Sequence, residues 1–385
     1  MELLAPAGGM EQLKAAVHFG ADAVYLAGTR WGMRARAHNF SAEELEQAVA
    51  YAHGHGVAVH VTLNTLMYDH DLADLPGYLR FLDGLGVDAL IVADLGALAL
   101  AREHAPRVAL HVSTQASVTN AAAALAYAGL GATRIVLARE MTLAQVAALR
   151  AQVGDAVELE AFAHGSLCVA YSGRCLLSAE MTGGTRSAAD GSCAQPCRWG
   201  WRLVEDRTPE RPLPVEQDAQ GTYLLSSNDL CLIEHLDELA AAGVDSLKLE
   251  GRNKGVAYVA VVTNAYRHVL DGEPAGPWRA ELDATSHRPF SEGFLFGQPT
   301  QNPGRVEYAR DRTLVGVVSA CRPSGQGFLA TVEGRNSAHD GQTLTLLCPG
   351  QPVRHVTLDG AELRNQAQAE LALPFPVQPL DLLFA

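Results

Sequence analysis

Eight short β-like runs, 2–5, 23–27, 57–64, 89–94, 109–115, 134–140, 158–164 and 246–250, are separated by Ala- and Leu-rich stretches of helical periodicity such as 9–18, 42–53, 72–85 and 143–151. After the last run, 256–270 supplies an eighth helix. Strand–helix units repeated in this way predict an α/β fold, a (β/α)8 barrel, with a doubly wound open sheet as the alternative.

Alternate residues of a barrel strand face the interior and the helix layer, so polar residues of one phase mark the interior. His60, Thr62 and Asn64 share a phase against Val59, Val61 and Leu63, and His111, Ser113 and Gln115 oppose Leu110 and Val112. Glu158, Glu160 and His164 alternate with Leu159, Ala161 and Ala163, and Ser246, Lys248 and Glu250 with Leu247 and Leu249. Four such patterns among otherwise apolar strands point to a polar lumen, a ligand site opening at the C-terminal mouth where barrels carry chemistry. His111, Gln115, Glu160 and His164 are therefore the candidate catalytic side chains on its wall.

Between the seventh run and a helix expected near Leu230 lies an insertion of about sixty residues, far longer than a normal βα loop. It holds four of the seven cysteines, Cys168, Cys175, Cys193 and Cys197, with glycines between them. Structural zinc favours paired short knuckles, and only Cys193 and Cys197 are so spaced. Irregular spacing across a glycine-rich loop suits a [4Fe–4S] centre held by four thiolates, with Cys231 as an alternative fourth ligand. Four unrelated buried thiols are the plainer reading. His164 and Cys168 have the spacing of a thiol-peptidase base and nucleophile, but no HExxH or GxSxG motif accompanies them.

Lys occurs only at 14, 248 and 254. Lys248, Glu250, Arg252 and Lys254 cluster at the end of the eighth run, where barrels commonly bind anions, and Arg36 and Arg34 follow the second. These residues are expected to bind a small carboxylate or phosphate, with solvated charge as the alternative. Arg174, Arg198 and Arg202 with Trp199 and Trp201 form a candidate RNA-contacting surface. The net charge of −14 argues against a general polyanion binder, because non-specific nucleic-acid affinity needs many Lys and Arg contacts.

The opening lacks a charged leader, and the apolar run at 89–101 is broken by Asp94, so a cytoplasmic protein without membrane partners is expected, and its cysteines are read as ligands or thiols rather than disulfides. Beyond residue 280 the pattern changes to short alternating runs punctuated by Gly and Pro. The expected organisation is a barrel over 1–280 with a cysteine-rich insertion at about 165–225, then a connecting segment and a small C-terminal β-barrel or sandwich over 281–385. Cys321 and Cys348 in that second part are expected to be packing residues.

The segments EAFAHGSLCVAYSGRCLLS, GSCAQPCRW and SLKLEGRNK, with MELLAPAGGMEQLKAAVHFGADAVYLAG and HVSTQASVTN, closely resemble the U32 peptidase family of collagenase-like proteases. The likeness runs from residue 1 to about 270, with a family-like β domain behind. Although the family is named for proteolysis, the resemblance also implies oxygen-independent hydroxylation of a tRNA wobble uridine, an rRNA cytidine or a ubiquinone precursor, the RNA-modifying members being tied to prephenate. The quinone members carry a [4Fe–4S] cluster on cysteines matching Cys168, Cys175 and Cys193. In tRNA-modifying members, which are longer than this chain, the matching fourth is Cys197. The expectation is thus an Fe–S-dependent RNA hydroxylase forming 5-hydroxyuridine in tRNA with prephenate. A collagenase-like peptidase is the alternative, and an Fe–S partner subunit or a hydroxylase of rRNA or a quinone precursor the second. Homo- and hetero-oligomers are both left open.

Overall fold

The computed structural model describes residues 1–33, 38–166, 175, 177–189, 191–196, 217–218, 221–222, 228–297, 312–325 and 327–385. The barrel opens with β1 (Glu2–Pro6), α1 (Met10–His18), β2 (Ala23–Leu26), α2 (Ala42–Gly54), β3 (Ala58–Leu63), α3 (Asp69–Leu85), β4 (Ala89–Val92) and α4 (Leu95–His104). It continues through β5 (Ala109–Val112), α5 (Ala121–Gly129), β6 (Arg134–Val136), α6 (Leu143–Val153) and β7 (Glu158–Ser166). The insertion contributes α7 (Leu177–Met181) and the paired β8 (Gln217–Asp218) and β9 (Gly221–Thr222); β10 (Asp229–Cys231), α8 (Leu236–Ala241), β11 (Ser246–Leu249), α9 (Val256–Leu270), α10 (Ala275–Asp283) and β12 (Phe290–Ser291) follow.

Closure is what separates a barrel from an open sheet. β1 to β7 pair in sequence and in parallel, and β11 pairs with both β1 (Glu2↔Ser246) and β7 (Glu160↔Ser246). The open-sheet alternative is thereby excluded. Side chains such as Leu3, Val24, Val59, Val61 and Leu159 face outward and pack under the helices, each adding about 1.5–3 kcal/mol of burial. The inner face holds a smaller apolar layer of Leu4, Ala23, Tyr25, Ile91 and Val136, with Phe162 against it. Helix starts are fixed locally: Ser41 with Glu44 and Thr142 with Gln145 form capping boxes, and Asp94 and Asn120 accept bonds from the first turns of α4 and α5.

Two departures from the expected elements bear on the site. Leu230 does not begin a helix; Asp229–Cys231 lies antiparallel along the end of β7, Cys231 opposite His164, and the helix waits until Leu236. The short strand is anchored by a buried pair in which the Arg288 side chain and backbone donate to the Asp229 carboxylate at 2.8–3.2 Å. In addition, the register of β7 against β11 shifts between Lys248 and Leu249, so that Lys248 pairs with Phe162 but Leu249 with His164.

The C-terminal part forms a six-stranded antiparallel sheet from β13 (Leu314–Ser324), β14 (Gly327–Gly334), β15 (Thr343–Leu347), β16 (Arg354–Thr357), β17 (Gln368–Leu373) and β18 (Leu382–Phe384), in the order β16-β15-β18-β13-β14-β17. It is a half-barrel: among the described residues no pairing joins β16 to β17. Cys348 is buried in its core and Cys321 packs against it. Val317, Leu347, Leu382 and Phe384 dock it on Ala15 of α1, Phe19 just past its end, and Ala260 and Val261 of α9.

Candidate functional site: a charged barrel lumen capped by thiols

The floor of the lumen is a charge network, buried at Arg134 and Glu160 and open to solvent at Glu158. Arg134, at the start of β6, donates to Glu158 at 2.8 Å, to Glu160 at 3.2 Å and with both terminal nitrogens to Glu2. Ser246 adds a 2.7 Å bond to Glu2. Burial pushes the Glu2 carboxyl up, yet the Arg134 bonds and charge outweigh it and leave the pKa lowered. Above this layer Lys248 donates to the other oxygen of Glu160 at 2.7 Å, its ammonium 4.4 Å from the Tyr25 ring centre.

His60 and His111 meet edge to face at 4.8 Å beside Glu160. Both are held neutral chiefly by burial. For His111 the charges of Arg134 and Lys248, and a proton on His60, would push further in that direction, whereas Glu2 and Glu160 partly oppose it at His60. Each buried Nδ1 lacks a hydrogen-bond partner among the described residues. Ligand atoms of His60, His111 and Glu160 lie within 4.8 Å of one another, a set able to take a metal ion, but both carboxylate oxygens already carry Lys248 and Arg134.

A cavity of about 140 Å3 opens above Lys248 at the C-terminal mouth. Tyr25, Phe162, Gln115, Arg139, Glu250 and Arg252 contribute to its wall, and Cys175, Cys193 and Gln195 of the insertion reach its rim. The Gln195 backbone N–H donates to Cys193 Sγ at 3.3 Å, the type of bond that stabilises a ligating thiolate. Arg186 braces the same turn by donating to the carbonyls of Ser192 and Cys193 at 2.8 Å. Gly165 lets the chain leave β7: its φ is +106°, and a Cβ there would stand 2.3 Å from the Glu250 carbonyl oxygen. Two thiols on the rim of one cavity, Cys193 with a donated N–H, are of the donor type an Fe–S centre takes; Cys168 and Cys197 lie outside the described residues, as do Arg34, Arg36 and the Arg174, Arg198, Trp199, Trp201 and Arg202 surface.

The other expected site residues divide. Lys248, Glu250, Arg252 and Gln115 gather on the one cavity, and Glu160 and His111 lie beneath it. Gln115 is reached by a 3-10 turn over Thr114–Ala116 rather than by a longer strand, its backbone N–H donating to Ser113 Oγ at 3.3 Å. Arg252 is buried and spends its guanidinium on Met33 O at 2.7 Å, Thr62 Oγ1 at 3.3 Å and Asn39, which ties the β2 loop to the mouth.

Lys254 and His164 are corrections. Lys254 leaves the mouth: it donates to Ser286 O at 3.1 Å and lines a separate cavity of about 280 Å3 between α9, α10 and the C-terminal sheet. His164 does not face the lumen, because the register shift puts it in phase with outward Leu249. It packs among Tyr258, Tyr266 and Phe290 with 1% exposure, and burial pushes its pKa down to about 3. Its strand partner Cys231 faces the same side, 4.0 Å from the Tyr266 hydroxyl, and lines a different cavity from Cys175 and Cys193.

His60, Tyr25, Arg134, Phe162 and Arg139 complete the site without having been singled out as its residues. The shared phase of His60 with Thr62 was the available signal for the first. For Tyr25 there was none, since AVYL is apolar on both faces.

A closed α/β barrel with a charged lumen and thiols at its C-terminal mouth is thus the class of protein in hand. The model of peptidase family U32 matches residues 8–304, and the chain belongs to that family. It is 37% identical over 360 residues to tRNA hydroxylation protein P1 of Bacillus subtilis, covering 90% of this chain and 83% of that one. It is 41% identical over 290 residues to a 23S rRNA 5-hydroxycytidine synthase of Escherichia coli, covering 74% and 42%. A collagenase of Porphyromonas gingivalis is 35% identical over 315 residues, covering 77% and 74%. Among the described residues no helix is long and apolar enough to cross a membrane.

Proposed function

We propose that this chain is an oxygen-independent RNA hydroxylase that forms 5-hydroxyuridine in tRNA, with a [4Fe–4S] cluster at the barrel mouth and prephenate as cosubstrate. The observation that carries the reading is that Cys175 and Cys193 share one cavity with the buried cations Lys248 and Arg252. Such a cavity receives a small carboxylate beside a redox centre. Cys175, Cys193 and, by sequence, Cys168 and Cys197 hold the cluster; Cys231 is disfavoured because it faces the other side of the β7 wall. When bound, a cluster supplies single electrons next to the cavity. Lys248 and Arg139 attract the carboxylates, with Arg252, held by Met33, Thr62 and Asn39, adding its charge to the wall; Gln115 offers a buried amide oxygen without a partner among the described residues, and the neutral His111 and the Glu160 carboxylate move protons on the floor.

The names of the relatives that act on tRNA and rRNA support an RNA substrate. So does the rim, where Tyr68, 59% exposed, stacks on His70 and offers a flat face to an unpaired base, while Leu66 N–H donates to Ala189 O of the insertion at 2.8 Å. The peptidase reading needs His164 as a base, and His164 is buried outside the lumen. The test is nucleoside mass spectrometry of tRNA and rRNA from a deletion strain, alongside anaerobic gelatin digestion by the pure protein. Loss of 5-hydroxyuridine, restored by the intact gene, is expected; loss of 5-hydroxycytidine alone would move the substrate to rRNA. Unchanged nucleosides with gelatin cleavage would replace the hydroxylase by a peptidase.

A further inference from the structure

Of the three lysines, one stands inside the barrel. Lys248 is 4% exposed, lines the 140 Å3 cavity, and among the described residues hydrogen-bonds to Glu160 only, at 2.7 Å. Lys248 is not the sole donor to that carboxylate, for Arg134 also donates to the second oxygen of Glu160 at 3.2 Å. Nor does Arg134 depend on Glu160, being also bonded to Glu2 and Glu158. A proton passing from Lys248 to Glu160 removes one charge of each sign, so the net charge of the floor is unchanged and Arg134 keeps Glu2 and the half-exposed Glu158 as partners. What remains is an amine at the bottom of a cavity whose wall carries Arg139 and Arg252, with the Tyr25 ring 4.4 Å away to accept a cation when one re-forms.

We propose that Lys248 captures the cosubstrate covalently, as a protonated imine with the oxo group of a 2-oxo carboxylate. The identity of the oxo acid, prephenate with its pyruvyl side chain, rests on the hydroxylase reading; the geometry of capture does not. Glu160 takes a proton from the ammonium, and the freed lone pair of Nζ forms a C–N bond to the oxo carbon. Glu160 then returns the proton to the carbonyl oxygen. Loss of that oxygen as water, with a second proton from the nitrogen by way of Glu160, breaks the C–O bond. Ammonium and ketone become iminium and water, with charge conserved and no electron transferred. The iminium draws electrons from the bonds next to it and fixes the oxo acid below the thiol-bearing rim.

With lysines only at 14, 248 and 254, a trapped side-chain adduct maps to one of three positions, which peptide mapping separates from the terminal amine. Anaerobically purified full-length protein is incubated with prephenate, and separately with pyruvate, then reduced with borohydride, whose hydride converts the imine into a stable secondary amine. Intact-mass measurement and peptide mapping should find one adduct per chain, on Lys248. It should vanish in Lys248→Arg and persist in Lys254→Arg. No adduct, or one spread over Lys14 and Lys254, would overturn the proposal, and the wild-type map decides even if Lys248→Arg does not fold. The two readings fail separately: an adduct in a protein whose deletion leaves RNA nucleosides unchanged keeps the imine and removes the hydroxylase. Altered nucleosides without an adduct do the reverse.

Discussion

On its inner side β7 presents Glu160 to Lys248 and Arg134; on its outer side it presents His164 to Tyr258, Tyr266 and Phe290. Both residues are buried, and counting in twos along the strand puts them on one face. One residue of register at Lys248/Leu249 separates their fates. Inside, a polar side chain meets opposite charges and a ligand cavity, so it can exchange protons. Outside, it meets aromatic rings and loses its charge to desolvation. The cysteines divide in the same way. Cys193 sits at the cavity rim with an N–H on its sulfur, whereas burial pushes the Cys231 thiol up and keeps it protonated.

The cysteine contrast gives the largest expected effect. Cys175→Ser and Cys193→Ser should abolish the brown chromophore and iron content of anaerobically reconstituted protein, while Cys231→Ser should keep both. Iron lost equally in all three would erase the distinction between the two sides of the wall. Next in size is Glu160→Ala, which leaves Lys248 with no ion-pair partner among the described residues. Truncating one partner of such a buried pair costs about 3–5 kcal/mol, measurable by urea unfolding. A loss under about 1 kcal/mol would mean that water reaches the floor and the inner network is not dry.

The eight units were legible because the alternation of periods two and 3.6 is local, and the polar lumen because the phase persists in β3 and β11. The insertion announced itself by its length and its thiols. Partner-dependent features were hidden. The bulge that turns His164 outward is a property of β7 against β11, not of β7 alone. Phe162 shares a phase with Glu160, but nothing polar marked it as a lumen residue. The three-residue Asp229–Cys231 strand is held by Arg288, far along the chain, which no window around Leu230 contains. Arg252 looked like a free anion fork because its partners Met33 and Asn39 are more than two hundred residues away.

The smallest expected effect is the one that isolates the outer side. His164 in the folded chain titrates at about 3 instead of the ordinary 6.5, with burial as the main cause; Asp229 opposes the shift, and His287, Lys254 and Arg279 add to it. A histidine so depressed binds its proton more readily in the unfolded chain. Its contribution to stability is complete above pH 6.5 and is lost as pH falls from 6.5 towards 3. His60 and His111, also lowered, act in the same direction on the inner side, so unfolding free energy should decline across this window before most carboxylates titrate. His164→Phe keeps an aromatic ring in the cage of Tyr258, Tyr266 and Phe290 and removes only a long contact of 3.4 Å to the Tyr266 hydroxyl. At pH 7.5 it should cost less than about 1.5 kcal/mol, flatten the acid slope, and leave tRNA hydroxylation within a few-fold of the parent. His111→Phe should flatten the slope as well but lose the activity. If His164→Phe abolishes hydroxylation while its melting curve is unchanged, His164 belongs to the chemistry and the division between the two sides of β7 is wrong.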